Sequence, residues 1–509
     1  MAKGVIYLVG AGPGNPGLLT LRAKELIEKA DTLVYDYLVH PTFLQFAGPD
    51  CESIYVGKKA GSHSMSQEEI ERLLVNHAMQ GKAVVRLKGG DPFIFGRGSE
   101  EVRALQKAGV DFEVVPGVTA AIGASAYSGT PLTQRGVNAT LVIVTGHEDS
   151  EKTESMVDWK SLPQENAAIC IYMGVSKLPG IVDELLDAGF AQDTPIACVE
   201  WATMGHQRVC RGKLGTIVES AKSFKLQAPS IIIIGENAAM GEEFSWFEKK
   251  PLQGRRLVVT RSQGQASELS QKLELLGAEV IGLPLIEISK SIDPETQKDV
   301  FDELGSYDWL VFSSPNGVRF FFEAFFETFN DIRSLGFIRI AAVGQSTAKE
   351  IEKLFVSVEL IPEEANADSL ADALVETGSM DSAKVLVVAG NLGRETLYRR
   401  LDEARAIVDK FVVYKTEPTD LSDHPSAKMF REQGADAIIF TSSSGVKSFV
   451  DQVGSLKLEE GALHPKTISI GPITSASMQQ QGMPVDLQAK EASLDSLVEG
   501  IIKRFGKGQ

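Results

Sequence analysis

Short apolar runs alternate with amphipathic segments along almost the whole chain. Nearly continuous aliphatic residues predict strands at residues 5–9, 32–35, 84–87, 140–144, 168–172 and 231–234. Unbroken runs of this kind are typical of strands with both faces buried. Apolar residues recur at helical spacing over residues 18–30 and 67–80, and Ser66 with Glu69 has the pattern of a capping box. This alternation predicts an α/β protein.

The chain of 509 residues is longer than one hydrophobic core usually supports, so several domains are expected. The periodic pattern is lost over residues 237–254, which are rich in glycine, proline and charge. A new strand is predicted at residues 256–260. We therefore expect an N-terminal half at residues 1–247, a linker at 248–254 and a C-terminal half at 255–509.

The C-terminal half contains an internal repeat. Phe312-Ser-Ser-Pro-Asn-Gly-Val318 is echoed 128 residues later by Phe440-Thr-Ser-Ser-Ser-Gly-Val446. The second pair, Ala342-Val-Gly-Gln-Ser-Thr-Ala348 and Ser469-Ile-Gly-Pro-Ile-Thr-Ser475, has an offset of 127. Two nearly equal offsets predict two similar lobes, because the period has the size of a domain.

Composition narrows the class of protein. Hydrophobic residues make up 43% of the chain and charged residues 23%, as in a globular protein. A net charge of −17 argues against nucleic acid or an anionic membrane as the main partner. The start of the chain lacks a signal-peptide pattern, and the longest aliphatic run is too short to span a bilayer. Four cysteines without a CxxC pair favour a reduced, cytoplasmic protein and predict no metal site.

The most informative motif is Arg86-Leu-Lys-Gly-Gly-Asp-Pro-Phe-Ile-Phe-Gly-Arg-Gly98. A strand that ends on Gly89 and Gly90 lets a ligand approach bare backbone. Asp91 then adds a carboxylate at the edge of the sheet where open α/β folds bind ligands. An ordinary strand-to-helix turn is the alternative interpretation.

A glycine loop, Gly10-Ala-Gly-Pro-Gly-Asn-Pro-Gly17, follows the first predicted strand, and Asp36 follows the second. A dinucleotide-binding site has a similar layout. However, Pro13 and Pro16 each remove an N–H donor that pyrophosphate binding would use. The loop therefore favours a less anionic ligand over a nicotinamide or flavin cofactor.

Seven motifs, in order, resemble those of uroporphyrinogen-III C-methyltransferases of the tetrapyrrole methylase class, over residues 3–247. They are Val9-Gly-Ala-Gly-Pro-Gly-Asn-Pro16, Val34-Tyr-Asp-Tyr-Leu-Val39, Val56-Gly-Lys-Lys-Ala-Gly61, the 86–98 motif, Val115-Pro-Gly-Val-Thr-Ala120, Ser125-Ala-Tyr-Ser-Gly-Thr-Pro-Leu-Thr133 and Tyr172-Met-Gly174. The resemblance implies two α/β subdomains, of about residues 1–115 and 118–247, with S-adenosylmethionine bound between them. It also implies a homodimer formed through this half.

Carried over by motif, the resemblance implies these cofactor-binding residues: Pro13, Gly89, Gly90, Asp91, Ile94, Thr119, Ala120, Met173 and Ala202. The family has a glycine where this chain has Ala202. The implied reaction transfers methyl groups to C2 and C7 of uroporphyrinogen III and gives precorrin-2. Asp36 is the implied base and Lys58 the implied acid, while strand capping and a solvated lysine are their alternatives. Substrate carboxylates are expected to bind Arg86, Arg97 and Arg135.

Residues 255–505 resemble uroporphyrinogen-III synthases. The matching motifs are Val258-Val-Thr-Arg261, Phe312-Ser-Ser-Pro-Asn-Gly317, Val343-Gly-Gln-Ser-Thr347, Gly393-Arg-Glu-Thr-Leu397, Val412-Val-Tyr414, Phe440-Thr-Ser-Ser-Ser-Gly445 and Ile470-Gly-Pro-Ile-Thr474. The resemblance implies two lobes, one from about residues 255–289 and 418–505 and the other from 290–417. It also implies cofactor-free cyclisation of hydroxymethylbilane to uroporphyrinogen III with inversion of ring D.

In this half Tyr414 is the candidate catalytic residue, which would assist loss of the substrate hydroxyl. The expected substrate-binding residues are arginines and hydroxyl or amide side chains in turns: Arg261, Ser313, Ser314, Asn316, Thr347, Arg394, Thr441, Ser442, Ser443 and Thr474. Helix N-capping is the alternative role for Ser313, Ser314, Thr441 and Ser442. As a whole, the chain is expected to act on small tetrapyrroles. A methyltransferase for another tetrapyrrole, joined to a non-catalytic two-lobed binding module, remains the alternative, and the downstream product stays open between sirohaem, cobalamin and haem d1.

Overall fold

The computed structural model describes residues 3–48, 50–57, 65–146, 156–260, 266–393, 395–422 and 424–507. The chain divides into two compact units. One runs from the N-terminal half to Leu283 and resumes at Leu421, and the other is Pro284–Asp420. The first unit therefore contains the whole N-terminal half together with one lobe of the C-terminal half.

The first sheet is parallel, with the order β3-β2-β4-β1-β5. Its strands are β1 (Val5–Gly10), β2 (Thr32–Tyr35), β3 (Glu52–Tyr55), β4 (Val84–Lys88) and β5 (Asp111–Val115), and its helices are α1 (Leu21–Glu28), α2 (Gln67–Met79) and α3 (Gly98–Ala108). Apolar side chains of α1 pack on one face of the sheet, and those of α2 and α3 pack on the other. Burial of both faces explains why the strand sequences are almost uninterrupted.

The second sheet is mixed, with the order β6-β7-β10-β8-β9, and only the β6–β7 pair is parallel. Helix α4 (Ala120–Ser128) precedes it. The strands are β6 (Thr140–Thr145), β7 (Ala167–Tyr172), β8 (Pro195–Glu200), β9 (Arg208–Lys213) and β10 (Ser230–Ile234), and the later helices are α5 (Leu178–Asp187), α6 (Ile217–Phe224) and α7 (Gly241–Phe244).

The remaining elements form two more sheets. The strands are β11 (Arg256–Thr260), β12 (Glu279–Leu283), β13 (Ile286–Lys290), β14 (Trp309–Phe312), β15 (Arg339–Ala342), β16 (Lys384–Gly390), β17 (Ile407–Pro418), β18 (Ala437–Phe440), β19 (Lys466–Ser469) and β20 (Leu487–Gln488). The helices are α8 (Ala266–Leu275), α9 (Pro294–Asp302), α10 (Pro315–Thr328), α11 (Gln345–Glu352), α12 (Ala367–Glu376), α13 (Glu395–Glu403), α14 (Pro425–Gln433), α15 (Ser443–Asp451), α16 (Pro472–Gln480) and α17 (Leu494–Phe505).

In the first unit, β12-β11-β18-β19-β20 form a parallel sheet. In the second unit the order is β13-β17-β16-β14-β15, and β13 is antiparallel to β17. The internal repeat corresponds to equivalent elements, since β14-α10-β15-α11 in one unit matches β18-α15-β19-α16 in the other. The α/β class predicted for both halves is confirmed.

Two boundaries differ from the sequence expectation. Residues 286–289, expected in the first lobe, belong to β13, which pairs with β17 of the second unit. The expected linker at 248–254 is packed, because Leu252 is fully buried in the core of the first C-terminal lobe. Local composition indicated a break in the pattern, whereas tertiary contacts decide where each segment packs.

Candidate active sites

Three glycine turns meet at the carboxyl ends of neighbouring strands. Gly12 N donates to Gly90 O at 3.1 Å, and Gly90 N donates to Gly12 O at 2.7 Å. A Cβ on Gly117 would lie 2.2 Å from Gly90 O, and one on Gly10 would lie 2.5 Å from Gly117 N. The turns after β1, β4 and β5 therefore contact one another through glycine backbone, and Gly10, Gly12 and Gly90 are buried. The approach of a ligand to this backbone stays a prediction.

Asp91 connects two of these turns. Its Oδ1 accepts a hydrogen bond from Phe93 N at 2.8 Å, and its Oδ2 accepts one from Gly117 N at 3.1 Å. Both carboxylate oxygens are thus engaged by backbone amides. This geometry indicates that Asp91 shapes the pocket, and its predicted contact with the cofactor stays a prediction.

The second subdomain reaches the same place through Tyr172, at the end of β7. The Tyr172 hydroxyl accepts a hydrogen bond from Ala121 N at 2.8 Å and shares a 2.7 Å hydrogen bond with Thr119 Oγ1. Burial raises the pKa of Tyr172, which keeps the hydroxyl protonated. Sequence reasoning missed this residue, although its place directly before Met173 at a strand end was a usable signal.

Ala202 lies in residues 201–207, which follow β8. Thr203 Oγ1 accepts a hydrogen bond from Asn15 N of the glycine loop at 3.0 Å. Trp201 and Thr203, on either side of Ala202, have left-handed φ values of 48° and 72°. The segment is therefore held in an unusual backbone conformation beside the glycine loop.

An apolar rim surrounds these turns. Phe93, Ile94 and Phe95 are between 38% and 56% exposed, and the Phe95 ring lies 5.1 Å from the Tyr172 ring. Met173 is also exposed and has a left-handed φ of 54°. Exposed apolar side chains beside a bare-backbone turn suit a ligand that combines an aromatic base with a thioether or sulfonium.

Asp36 belongs to a charged network. Its Oδ1 accepts a hydrogen bond from Leu38 N at 3.2 Å, and its Oδ2 accepts one from Arg86 Nη2 at 3.2 Å. Arg86 and Lys88 both contact Glu101 Oε1, at 3.4 and 2.8 Å, and Glu101 is fully buried. Burial lowers the pKa of Lys88, and the nearby Arg86 lowers it further. The expectation that Arg86 binds substrate carboxylates disagrees with this arrangement, because Arg86 is only 3% exposed and already holds Asp36.

The other predicted basic residues of this half differ in environment. Arg97 pairs with Glu100 at 2.7 Å, and Arg135 is exposed. Lys58, like Arg261 and Arg394 of the C-terminal half, lies outside the described residues. Their expected roles stay predictions.

In the second unit, predicted residues line a cavity of about 270 Å³ at the carboxyl ends of β14 and β16. The lining includes Ser313, Tyr414 and Thr416. Tyr414 OH lies 3.0 Å from Ser314 Oγ, and that oxygen also accepts a hydrogen bond from Gly317 N at 3.0 Å. Ser314 therefore caps α10 and orients Tyr414 at the same time.

Tyr398 is a cavity residue that sequence reasoning missed. Its hydroxyl is buried and has no hydrogen-bond partner among the described residues. Burial, together with the nearby Glu395 and Tyr414, raises the pKa of Tyr398 to about 12. The residue directly follows the Gly393-Arg-Glu-Thr-Leu397 motif, which was the available signal.

The remaining predicted residues of this half fall into two groups. Ser442 caps α15, accepting a hydrogen bond from Gly445 N at 3.1 Å, and Ser443 and Asn316 lie in the first turns of α15 and α10. Thr347, Thr441 and Thr474 are buried. N-capping is thus present for Ser314 and Ser442, as the alternative interpretation proposed. Full burial of Thr347 disfavours direct contact with substrate.

The described residues contain neither a metal-binding cluster nor a membrane-spanning helix. Over the residues that the structure describes, no cluster of three or more His, Cys, Asp or Glu side chains could hold a metal ion. In the same residues no helix is long and apolar enough to cross a membrane.

Each half of the chain matches a family of known proteins. The model of the tetrapyrrole (corrin/porphyrin) methylases matches residues 5–218, and the model of uroporphyrinogen-III synthase HemD matches residues 267–499. A porphyrin biosynthesis protein HemD of Ruminiclostridium josui is 33% identical over 506 residues, which are 99% of each chain. The chain belongs to this family of fused methylase and synthase proteins. Its N-terminal half is an S-adenosylmethionine-dependent methyltransferase domain, and its C-terminal half is a uroporphyrinogen-III synthase domain.

Two further proteins are similar to this chain. The uroporphyrinogen-III C-methyltransferase of Bacillus subtilis (strain 168) is 33% identical over 481 residues, 94% of each chain. The crystal structure of the Thermus thermophilus uroporphyrin-III C-methyl transferase with S-adenyl homocysteine is 40% identical. It covers 46% of this chain and 99% of that chain, with a TM-score of 0.41.

Proposed function

We propose that the protein converts hydroxymethylbilane to uroporphyrinogen III and then methylates this product at C2 and C7, giving precorrin-2. The observation that carries the proposal is the presence of both domains in one chain. The product of the synthase reaction is the substrate of the methyltransferase reaction. Joining the two enzymes raises the local concentration of an intermediate that oxidises readily.

In the methyltransferase half, the glycine turns and the apolar rim fit S-adenosylmethionine. This cofactor supplies an electrophilic methyl group on a sulfonium. The apolar rim would hold the donor against the turns after β1, β4 and β5, and this placement would align a pyrrole carbon of the substrate with the methyl group. When the new carbon–carbon bond forms, the ring carries positive charge that is relieved by losing a proton.

Asp36 is the proposed acceptor of that proton. Leu38 N and Arg86 hold its two oxygens in place, and its side chain remains 27% exposed, so substrate can reach it. Because Arg86 is buried and also bound to Leu87 O at 3.0 Å, it cannot follow Asp36 if the carboxylate moves. The pair therefore presents a carboxylate of fixed orientation.

In the synthase half, we assign Tyr414 to the departure of the substrate hydroxyl. Ser314 orients the phenol, and Tyr398 supplies a second hydroxyl in the same cavity. Protonation by Tyr414 would release water. Loss of water leaves an electrophilic methylene carbon, which the substituted carbon of ring D would attack to form the spiro intermediate. One bond of that carbon to a methylene bridge would then break, the released methylene would bond to the opposite carbon of ring D, and loss of a proton would restore the pyrrole and close the macrocycle. By resemblance, we also propose a cytoplasmic protein that forms a homodimer through the methyltransferase half.

A coupled assay tests the proposal on the full chain. Freshly made hydroxymethylbilane and S-adenosylmethionine with a labelled methyl group should yield a type III macrocycle that carries two labelled methyl groups. Accumulation of only the type I isomer would contradict the synthase assignment and favour a non-catalytic binding module. Failure to label uroporphyrinogen III that is supplied directly would contradict the methyltransferase substrate.

A further inference from the structure

Residues 201–207 contact the glycine loop on one side. Besides the hydrogen bond from Asn15 N to Thr203 Oγ1 at 3.0 Å, a Cβ placed on Gly14 would lie 2.5 Å from Met204 Sδ. The segment that contains Ala202 therefore packs directly against the glycine loop next to Pro13. A change in the conformation of this segment would therefore displace the glycine loop of the predicted cofactor pocket.

On its other side the segment contacts the C-terminal half of the chain. Gly254 N donates to Gly205 O at 2.7 Å, and Gln253 Nε2 donates to Gln207 O at 2.6 Å. A Cβ on Gly205 would lie 2.2 Å from Glu279 N, at the start of β12. Close backbone approach of this kind is typical of a packed interface rather than of two tethered domains.

A buried carboxylate lies at the centre of this interface. Glu279 is 5% exposed, and its Oε1 lies 3.1 Å from His206 Nδ1 while its Oε2 lies 2.7 Å from Arg256 Nε. The His206 ring also packs on Trp201, with 5.1 Å between the ring centroids. A buried carboxylate needs both partners, and each partner in turn depends on the carboxylate.

Hydrogen bonds of the Gln207 side chain hold residues 201–207 in one conformation. The Gln207 side chain is buried, and its Oε1 accepts a hydrogen bond from Thr203 N at 2.8 Å while its Nε2 donates to Tyr127 O at 3.2 Å. The left-handed residues Trp201 and Thr203 persist only when their surroundings hold them. The contacts of Glu279 and Gly254 are among those surroundings.

We propose that Glu279 of the synthase half is a positioning residue for the cofactor site of the methyltransferase half, acting through His206 and residues 201–207. The inference rests on the proposed contact of Ala202 with the cofactor. It makes the two enzymes energetically dependent on each other: the first synthase lobe supports the conformation in which the methyl donor binds. Loss of the carboxylate leaves His206 and Arg256 without their partner and releases a strained segment.

The test measures the affinity of the full chain for S-adenosylhomocysteine by titration calorimetry, for wild type, Glu279→Ala and Glu279→Gln. We expect Glu279→Ala to raise the Kd about tenfold. We expect Glu279→Gln, which keeps a hydrogen-bonding side chain of the same length, to raise it by about threefold. At saturating S-adenosylmethionine, kcat should stay within about twofold of wild type, because the segment acts on donor binding. A merely destabilising change would instead lower the active fraction without changing the Kd.

The matched control is Asp495→Ala. It removes a carboxylate that pairs with Lys272 at 2.5 Å on the same lobe, in a helix without a role in the interface described above. Wild-type affinity is expected for this variant. If Glu279→Ala does not fold, His206→Gln removes the same contact from the methyltransferase side and should raise the Kd in the same way. Unchanged affinity in folded Glu279 or His206 variants would overturn the inference alone, whereas a wild-type chain that does not bind S-adenosylhomocysteine would overturn the proposed cofactor site as well.

Discussion

Replacing Gly117 by alanine should damage the cofactor pocket through a single methyl group. The new Cβ would lie 2.2 Å from Gly90 O and 2.9 Å from the Cα of Gly10. Ordinary van der Waals contacts of a Cβ begin near 3.4 Å, so the backbone would have to separate by about 1.2 Å. Both neighbours are backbone atoms of sheet-ending turns and cannot rotate away as a flexible side chain would.

The magnitude follows from two effects. Overpacking by a methyl group costs about 1–3 kcal/mol. Moving Gly117 N away from Asp91 Oδ2, now 3.1 Å distant, also weakens a hydrogen bond to a charged group, worth about 1.5–3 kcal/mol. The two effects share one displacement and are not additive, so we expect the free energy of unfolding of this half to fall by about 2–4 kcal/mol. The affinity for S-adenosylhomocysteine should fall about tenfold or more, because the displaced turns form the pocket.

The assay is urea unfolding of the full chain followed by circular dichroism, with calorimetric titration of S-adenosylhomocysteine. Gly180→Ala is the matched control, since Gly180 lies inside α5 with no atom within 4 Å of an added Cβ. Alanine there should stabilise the protein by about 0.5–1 kcal/mol and leave the affinity unchanged. If Gly117→Ala unfolds at the wild-type urea concentration and binds the ligand within twofold of wild type, the close contact of the three turns is refuted.

The remaining predictions concern the catalytic groups and the interface. Asp36→Ala should lower the rate of methyl transfer from labelled donor about 10²-fold or more and leave the affinity for S-adenosylhomocysteine unchanged. An unchanged rate would mean that Asp36 only caps the end of its strand. Tyr414→Phe should lower the kcat for formation of the type III isomer at least about tenfold, whereas Tyr398→Phe should mainly raise KM. Both constants are measured by chromatography of the oxidised products. Equal effects of the two variants on kcat and KM would contradict a catalytic role for Tyr414 and a binding role for Tyr398. Burial raises the pKa of Glu279, but His206 and Arg256 outweigh it and hold the pKa at about 2, against 4.5 when unfolded. The stability that this group adds is therefore present above about pH 4.5 and is lost as the pH falls toward 2, so unfolding of Glu279→Gln should depend less on pH across that window.

The positions of the strands could be predicted from the sequence, and their pairing could not. The expected strand at 32–35 coincides with β2, and the one at 5–9 ends one residue before β1 does. Sheet order depends on contacts between distant segments, which local periodicity does not contain. Residues 286–290 illustrate the limit, since their assignment to a lobe rests entirely on antiparallel pairing with β17.

The candidate sites show the same division. Glycine spacing identified the turns that contact one another in the fold, because the absence of a side chain is a local property, whereas their contact with the cofactor stays a prediction. The role of Arg86 could not be predicted from spacing alone. Arg86 lies between Val85 and Leu87 in a strand that is buried on both faces. That context was an available signal for a buried guanidinium, which needs a carboxylate partner, but the sequence analysis assigned Arg86 to substrate binding. The partners Asp36 and Glu101 come from other elements, so only the fold could identify them.

The interface of Glu279 was the least predictable part of the site, and the reason is physical. Arg256 and Glu279 are the first residues of β11 and β12 and are opposite each other in the parallel register. Charged residues at strand starts are usually solvated, and local periodicity does not show which strands pair, so nothing in the sequence singled out this pair. Glu279 is buried because Gly205 and His206 of the methyltransferase half cover it. Removal of that cover would expose a carboxylate that still pairs with Arg256, whereas removal of the Glu279 carboxylate takes this partner from both His206 and Arg256. The dependence is therefore unequal: the first synthase lobe should tolerate loss of the methyltransferase half better than the cofactor site tolerates loss of Glu279.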